Sequence, residues 1–264
     1  MTPSLDFDDL IYGIHAVSEA LAAGEALRRI HVAANRTRDG VLRELLAKAN
    51  ERDIPVRFER RDFFDRVPFK AHQGVVALAQ PFTYASLHDI LARRQADGTR
   101  RLVVVLDHLT DPHNVGAIVR TAEAQGAAGL VLPPRRSAGV NATVRKAAAG
   151  AAEHLPIARA NIADAIRTLK RAGVWVVGAD PAPESIEVTA ADLDRDLALV
   201  VGAEGAGLSH LVKRECDYLI RLPMRGKVAS LNASVAAAIL MYEARRQQGM
   251  PASSLTGEGE PPIY

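Results

Sequence analysis

The sequence predicts an α/β protein built on a parallel sheet with helices on both faces. Three observations lead there. Leu102-Val103-Val104-Val105-Leu106 is an unbroken apolar run, as in a strand buried on both sides. From 102 to 246, short apolar segments alternate with helical ones, the pattern of βαβ units. Gly126 and Gly173 directly follow amphipathic segments, where a left-handed residue ends a helix.

Taken in order, residues 1–9 are expected to fray. A helix over 16–23 is closed by Gly24, and a strand follows at 29–33. The next helix, 41–52, carries Leu42, Leu45, Leu46 and Ala49 on one face. A strand at 56–58, a short helix at 61–66 and a buried strand at 75–79 complete a unit of about eighty residues, near the lower limit for independent folding. The stretch 81–101 mixes Pro, Gly and charges around one helix at 87–94 and reads as a linker. Beyond it, strands are expected at 102–106, 129–132, 155–158, 174–178, 197–201 and 218–222. Helices are expected at 115–125, 142–152, 162–171, 208–215 and from Val235 onward, the last with Ala236, Ile239, Leu240 and Tyr242 at helical spacing. Residues 250–264 are rich in Pro, Gly and Ser and read as a flexible tail.

Composition narrows the function. Hydrophobic residues make up 48% and charged ones 24%, enough for a real core. Aromatics at 5% argue against recognition by stacking platforms. The net charge of +2 excludes strong indiscriminate binding to polyanions, but its distribution is uneven. Residues 28–70 hold 12 Lys/Arg against 7 Asp/Glu. Arg135, Arg136, Arg145 and Lys146 lie in an acid-free stretch from 134 to 152, whereas 184–196 holds five acids and one Arg. Two basic zones point to a polyanionic partner. The single cysteine, Cys216, excludes a disulfide within the chain and a cysteine-based zinc site, fits a reducing compartment, and reads as a buried small hydrophobe. The acidic start MTPSLDFDDL lacks the features of a signal peptide, and no apolar run approaches membrane-spanning length, so a cytoplasmic location and no membrane partner are expected.

Three constellations could carry chemistry. Each follows an expected strand and precedes a helix, so all three fall at one edge of the sheet, where α/β proteins bind ligands. The first is 107–122. Asn114 is placed to cap the helix, and Arg120 lies one turn after Gly116, off the apolar face. His108 and His113 do not share a helical face, so no metal site is expected. The second, Gly202-Ala203-Glu204-Gly205-Ala206-Gly207, imitates a dinucleotide fingerprint, with Glu204 in place of its middle glycine. A carboxylate there would repel pyrophosphate, so a glycine-rich loop presenting Glu204 to a ligand cleft is the better reading. A nucleotide-dependent oxidoreductase is the rival. The third runs through apolar Leu222-Pro223-Met224, a basic turn at 225–227, and Ser230, Asn232 and Ser234 at alternate positions before the last helix. It reads as a pocket wall with polar side chains.

These residues match a family. NVGAIVRTAEA (114–124), VVGAEGAGLS (200–209) and LIRLPMRGKVASLNASVAAAILMYEA (219–244) resemble the three motifs of the SpoU class, or TrmH family, of SPOUT RNA ribose 2′-O-methyltransferases. YGIHAVSEAL (12–21) and HQGVVAL (72–78) resemble the L30e-like substrate-binding domain of its RlmB-type members, as do DPHNVGA (111–117) and SAGVNATVRKAAAGAAEHLP (137–156) the neighbouring segments of those enzymes.

The resemblance implies an L30e-like α/β domain over 1–80 and a SPOUT α/β domain over 102–249 with a parallel sheet and a deep trefoil knot, assembled as a homodimer. It implies S-adenosylmethionine as cofactor, held in the knot around Gly202, Leu222 and Leu231. Met224 would cover the adenine side, and Ser230 and Asn232 would fix the closing turn. The implied substrate is the 2′-hydroxyl of a guanosine in the peptidyl-transferase region of 23S ribosomal RNA. A transfer RNA target and a non-catalytic RNA-binding assembly factor are the alternatives. Arg120 would carry the reaction. Because an arginine pKa lies above about 12, a charged guanidinium that stabilises the developing alkoxide is favoured over a deprotonated base. Asn114 and Glu204 would orient Arg120 and the ribose, and the basic residues of 28–70 and 135–146 would contact phosphate.

Overall fold

The computed structural model describes residues 10–22, 24–37, 39–67, 70–93, 99–205, 207–227 and 230–249. The expected frayed start and the tail from 250 lie outside them. The chain divides into two compact units. One comprises the residues up to Thr83 together with Gly139–Lys146, and the other Tyr84–Ala138 and the residues from Ala147 onward.

The first unit contains β1 (Leu10–Tyr12), α1 (Ile14–Ala22), β2 (Leu27–Ala33), α2 (Gly40–Glu51), β3 (Val56–Glu59), α3 (Arg61–Phe64) and β4 (Val75–Ala79). Its sheet runs β1-β4-β2-β3, with β2 and β3 parallel and the other pairs antiparallel. Period-two alternation decides its faces. Ile30 and Val32 of β2 pack with Val17 and Leu21 of α1 and Leu42 and Leu45 of α2. His31, between them, turns to the other face, stacks on Phe63 at 4.5 Å and bonds to Glu59 at 2.9 Å. Asp39 caps α2 by accepting from the Leu42 amide at 2.8 Å.

The second unit contains α4 (Leu87–Ala92), β5 (Leu102–Asp107), α5 (Pro112–Ala124), β6 (Gly129–Leu132), α6 (Ala142–Ala148), β7 (Ile157–Arg159), α7 (Ile162–Arg171), β8 (Trp175–Ala179), β9 (Ile186–Glu187), β10 (Leu197–Gly202), α8 (His210–Glu215), β11 (Tyr218–Arg221) and α9 (Ala233–Gln247), the first five residues of α6 belonging to the first unit. Its strands pair in parallel in the order β7-β6-β5-β10-β8-β11-β9. Every residue of β5 and β10 is buried, as their apolar runs require. Val103, Val105, Ala198 and Val200 pack against Ile166 and Leu169 of α7 and Val212 of α8. Leu102, Val104 and Leu106 alternate to the opposite face, where α5 and α9 pack against each other.

Several expectations change. Of the stretch read as a linker, residues 84–93 belong to the second unit and carry α4. The Ala85 amide donates to the Ile157 carbonyl at 2.9 Å, and Ile90 of α4 is fully buried in the second core. It docks over Gly129, where a Cβ would lie 2.6 Å from Ile90 Cγ1, so only glycine lets helix and strand meet this closely. α6 stops at Ala148 because Ala149 and Gly150 both take positive φ. The strands β1 and β9 were not expected. β9 is two exposed residues and leaves no periodic signal. In α9, Ala237, Leu240, Met241 and Ala244 make the buried face, while Ile239 and Tyr242 are exposed together with Val235. Alanines let the sheet side pack closely, so the larger residues fall outside. Burial pushes the Cys216 thiol up to about 12, which keeps it protonated and inert. Among the described residues, no helix is long and apolar enough to cross a membrane.

Arg245 was not anticipated. It is 7% exposed, and its guanidinium donates to the carbonyls of Gln125 (2.7 Å), Gly126 (2.6 Å) and Arg100 (2.8 Å) and to Gln248 Oε1 (2.7 Å). The first two carbonyls end α5, where the helix dipole favours a cation. Arg245→Met therefore strands several buried acceptors and is expected to cost about 3 kcal/mol. Urea denaturation measures it, and an unchanged midpoint would show that the arginine does not hold α9 to α5.

Candidate active site

The strand order reverses beside β5, with β6 and β7 to one side and β10 and β8 to the other. Parallel α/β sheets open a crevice at such a point, outside the carboxyl ends of the strands. Gly202 pairs with Asp107 at those ends. The crevice is a cleft whose walls come from three strand exits: Ala179–Pro181 after β8, Val201–Gly205 and Gly207 after β10, and Ile220–Leu222 with Met224 after β11. Ser230, Leu231, Ala236 and Leu240 close it. Most of this lining is apolar.

The loop after β10 folds back on its own strand. The Gly207 amide donates to the Ala203 carbonyl at 2.8 Å, and a Cβ on Gly202 would lie 2.3 Å from the Gly207 backbone. Gly205 and Gly207 take positive φ. The glycines thus serve a tight turn that raises Glu204 into solvent at the cleft rim. Two buried carboxylates brace this turn. Asp107, 1% exposed, accepts from the Ser209 amide at 2.7 Å and from His108 at 2.5 Å. Asp180 pairs with Lys213 Nζ at 2.6 Å. Sequence reasoning passed over Asp107, Asp180 and Lys213 as site residues. The available signal was that both aspartates close buried strands, where an unpaired carboxylate is costly.

Asn232 brings the three constellations together. Its Oδ1 accepts from the amides of Ser234 (3.0 Å) and Val235 (3.4 Å), capping α9. The Ser234 hydroxyl donates to the same oxygen at 2.6 Å. Its Nδ2 donates to Asn114 Oδ1 at 2.9 Å and to Glu204 Oε2 at 3.4 Å. The expected helix cap at Asn114 is corrected. Asp111 caps α5, with Pro112 at the first helical position, which frees Asn114 to face Asn232. Asn114 and Glu204, expected to orient Arg120 and the ribose, both hydrogen-bond to Asn232. Arg120 is exposed and makes no hydrogen bond or ion pair among the described residues. Leu222 and Leu231 are half-buried cleft walls, Met224 and Ser230 are exposed at its rim, and Gly202 forms its floor. His108 turns to Asp107, and no group of three metal-ligating side chains gathers among the described residues.

The basic zones are partly spent on structure. Arg52 donates to the carbonyls of Leu21 (2.7 Å) and Gly24 (2.9 Å), and Arg36 to that of Gln73. Arg145 donates to the Gln80 carbonyl at 3.1 Å and covers the Phe82 ring, and Lys146 pairs with Glu19 at 2.9 Å. Arg43, Arg57 and Arg60 remain exposed on the first unit.

Asn232→Asp separates the two jobs of this residue. The cap acceptor survives, but a carboxylate now faces Glu204. Paired carboxylates raise each other's pKa in the folded state, so stability is retained in acid and lost as pH rises. The deficit in melting temperature against the unsubstituted protein should widen between pH 4 and pH 7. A pH-independent deficit would mean that Asn232 and Glu204 are not coupled.

Comparison with known proteins agrees with this geometry. The model of the SpoU rRNA Methylase family matches residues 101–242, and that for RNA 2′-O ribose methyltransferase substrate binding matches residues 10–85. An uncharacterized tRNA/rRNA methyltransferase of Synechocystis, slr0955, is 42% identical over 94% of this chain, which spans 65% of that protein's length. The Bacillus subtilis protein YacO, named as a TrmH family tRNA/rRNA methyltransferase, is 42% identical over 91% of this chain and 96% of its own. The crystal structure of the SpoU methyltransferase AviRb from Streptomyces viridochromogenes, in complex with the cofactor AdoMet, matches 90% of each chain with a TM-score of 0.58 and 29% identity. The α/β architecture of parallel sheet and small N-terminal unit, the cleft at the strand ends and the three motifs that meet at Asn232 thus have one explanation: the chain belongs to the SpoU rRNA methylase family.

Proposed function

We propose that this chain transfers a methyl group from S-adenosylmethionine to the ribose 2′-hydroxyl of a guanosine in the peptidyl-transferase region of 23S ribosomal RNA, in the cytoplasm, as a homodimer. The observation that carries the reading is the meeting of Asn114, Glu204 and Asn232 at the rim of an apolar cleft. The cleft suits the cofactor. Leu222, Leu231 and Leu240 offer apolar surface to an adenine, the Gly202 turn leaves backbone groups bare, and Glu204 puts a carboxylate where a cationic ligand is favoured. When bound, S-adenosylmethionine supplies a methyl group already activated by its sulfonium charge.

The chain's own residues would do the rest. Asn114, held by Asn232, orients the ribose, and Glu204 shares that network. Arg120, exposed and without a carboxylate partner among the described residues, would stabilise the developing alkoxide with its guanidinium as the hydroxyl gives its proton to solvent water. Ser230 and Met224 sit on the segment that closes the cleft. The reading includes a trefoil-knotted path from β10 to α9. The L30e-like domain expected over 1–80 would hold RNA, and the exposed stripe of Val235, Ile239 and Tyr242 on α9 would meet the second subunit. The combined tRNA/rRNA names of relatives keep a transfer RNA target as a second reading.

Isothermal titration should show binding of S-adenosylmethionine and none of NAD. Gly202→Ala should abolish that binding, because the added methyl displaces the turn; retained binding in the variant would remove Gly202 from the site. Methyl transfer to unmodified 23S ribosomal RNA and transfer RNA transcripts decides the substrate, and absence of transfer to either sinks the proposal. Arg120→Lys should lower kcat about 100-fold, as loss of a positioned donor does. Full activity would exclude a bidentate role for the guanidinium.

A further inference from the structure

The loop after β6 carries two arginines that no part of the described structure uses. Arg135 and Arg136 are exposed and make no hydrogen bond or ion pair among the described residues. This is unlike Arg145 and Lys146 farther along the same acid-free stretch, whose charges are engaged within the first unit.

The loop is built to hold them still. Pro133 and Pro134 fix its entry, since proline locks φ. Its exit is pinned twice to one atom: Ser137 Oγ and the Ala138 amide donate to the Leu109 carbonyl at 2.9 and 2.8 Å. Between them Arg136 takes φ 57, a left-handed conformation that costs a non-glycine residue about 1 kcal/mol or more. Glycine would relieve that cost. The Arg136 guanidinium is thus presented to solvent from a backbone fixed on both sides.

The anchor places the loop beside the site. Leu109 is buried, two residues past Asp107, the strand partner of Gly202 at the cleft floor. It precedes Asn114 by five residues, a span of at most about 18 Å. Neither carboxylate flanking Leu109 in the chain pairs with these arginines: Asp107 bonds to Ser209 and His108, and Asp111 to the His113 amide. We propose that Arg135 and Arg136 form a preorganised clamp for the RNA phosphodiester flanking the target ribose. This rests on the RNA methyltransferase reading and narrows it: of the 135–146 zone, only this pair engages the backbone. A rigid guanidinium fork suits phosphate oxygens bidentately, and a loop ordered in advance loses little entropy on binding.

The test measures RNA affinity as a function of salt, with 23S ribosomal RNA and transfer RNA transcripts as probes, alongside methyl-transfer kinetics. Arg135→Ala/Arg136→Ala should raise the RNA KM roughly tenfold, affect kcat less, and make the salt dependence shallower by about 0.7 for each phosphate no longer neutralised. Arg136→Gly separates binding from folding, since it should weaken RNA binding while thermal stability holds or rises. Arg145→Ala/Lys146→Ala should leave the salt slope unchanged. The proposal is overturned if the first variant keeps the original KM and slope, or if the Arg145/Lys146 variant shows the same loss. Absence of methyl transfer by the unsubstituted chain would instead count against the functional reading, and the salt slopes of binding would still decide the arginines.

Discussion

The amide of Asn232 is shared among three elements: its oxygen caps α9, and its nitrogen reaches Asn114 on α5 and Glu204 on the loop after β10. None of these bonds is strong alone, since a cap contributes about 1 kcal/mol and exposed hydrogen bonds less. Their effect is geometric. A planar amide with both ends engaged has few rotamers left, so the start of α9, the first turn of α5 and the glycine loop hold fixed positions relative to one another. Arg245 repeats the arrangement at the far end, binding the last carbonyls of α5. The two helices are therefore fastened at both termini, across lengths of 13 and 15 residues. Of the two, α9 borders the cleft, through Ala233, Ala236 and Leu240, and its alanines leave the space.

The glycine loop shows how one pattern can serve two purposes. A dinucleotide site uses glycines so that a pyrophosphate can approach the backbone. Here the backbone approached is the chain's own, with Gly202 against Gly207. That closes the turn before α8 begins and leaves Glu204 as its projecting group. Asp107 and Asp180 hold the turn from below through Ser209 and Lys213. Carboxylates buried at strand ends thus fix a carboxylate exposed at the rim.

Charge is divided in a similar way. A +2 chain could meet a polyanion only through local concentrations of base. Several of the basic residues that create the excess in 28–70 and 134–152 bond to backbone carbonyls or nearby acids, as Arg36, Arg52, Arg145 and Lys146 do. Those left over are fewer and better placed than the composition suggests, and at Arg135 and Arg136 the backbone itself is ordered to present them.

The order of elements, the buried central strands and the three constellations were legible in the sequence because each rests on local rules: apolar runs, helical spacing, and polar residues after a strand. The individual roles were not. Asn114 looked like a cap because it is a polar residue just before the apolar spacing begins; the helix instead starts earlier, capped by Asp111 before Pro112. The spacing of Ile239 and Tyr242 marked a helix without telling which of its faces meets the sheet, and both are exposed. Arg245 gave no pattern, and the strand-end positions of Asp107 and Asp180 did not name their donors, since all these partners lie on segments remote in the chain. The sequence by itself determined the α/β framework and where along the chain the site residues stand. Only the tertiary structure decided which of them touch, because a hydrogen bond such as Asn232 to Asn114 joins residues 118 apart and depends on strand order, which no local propensity encodes.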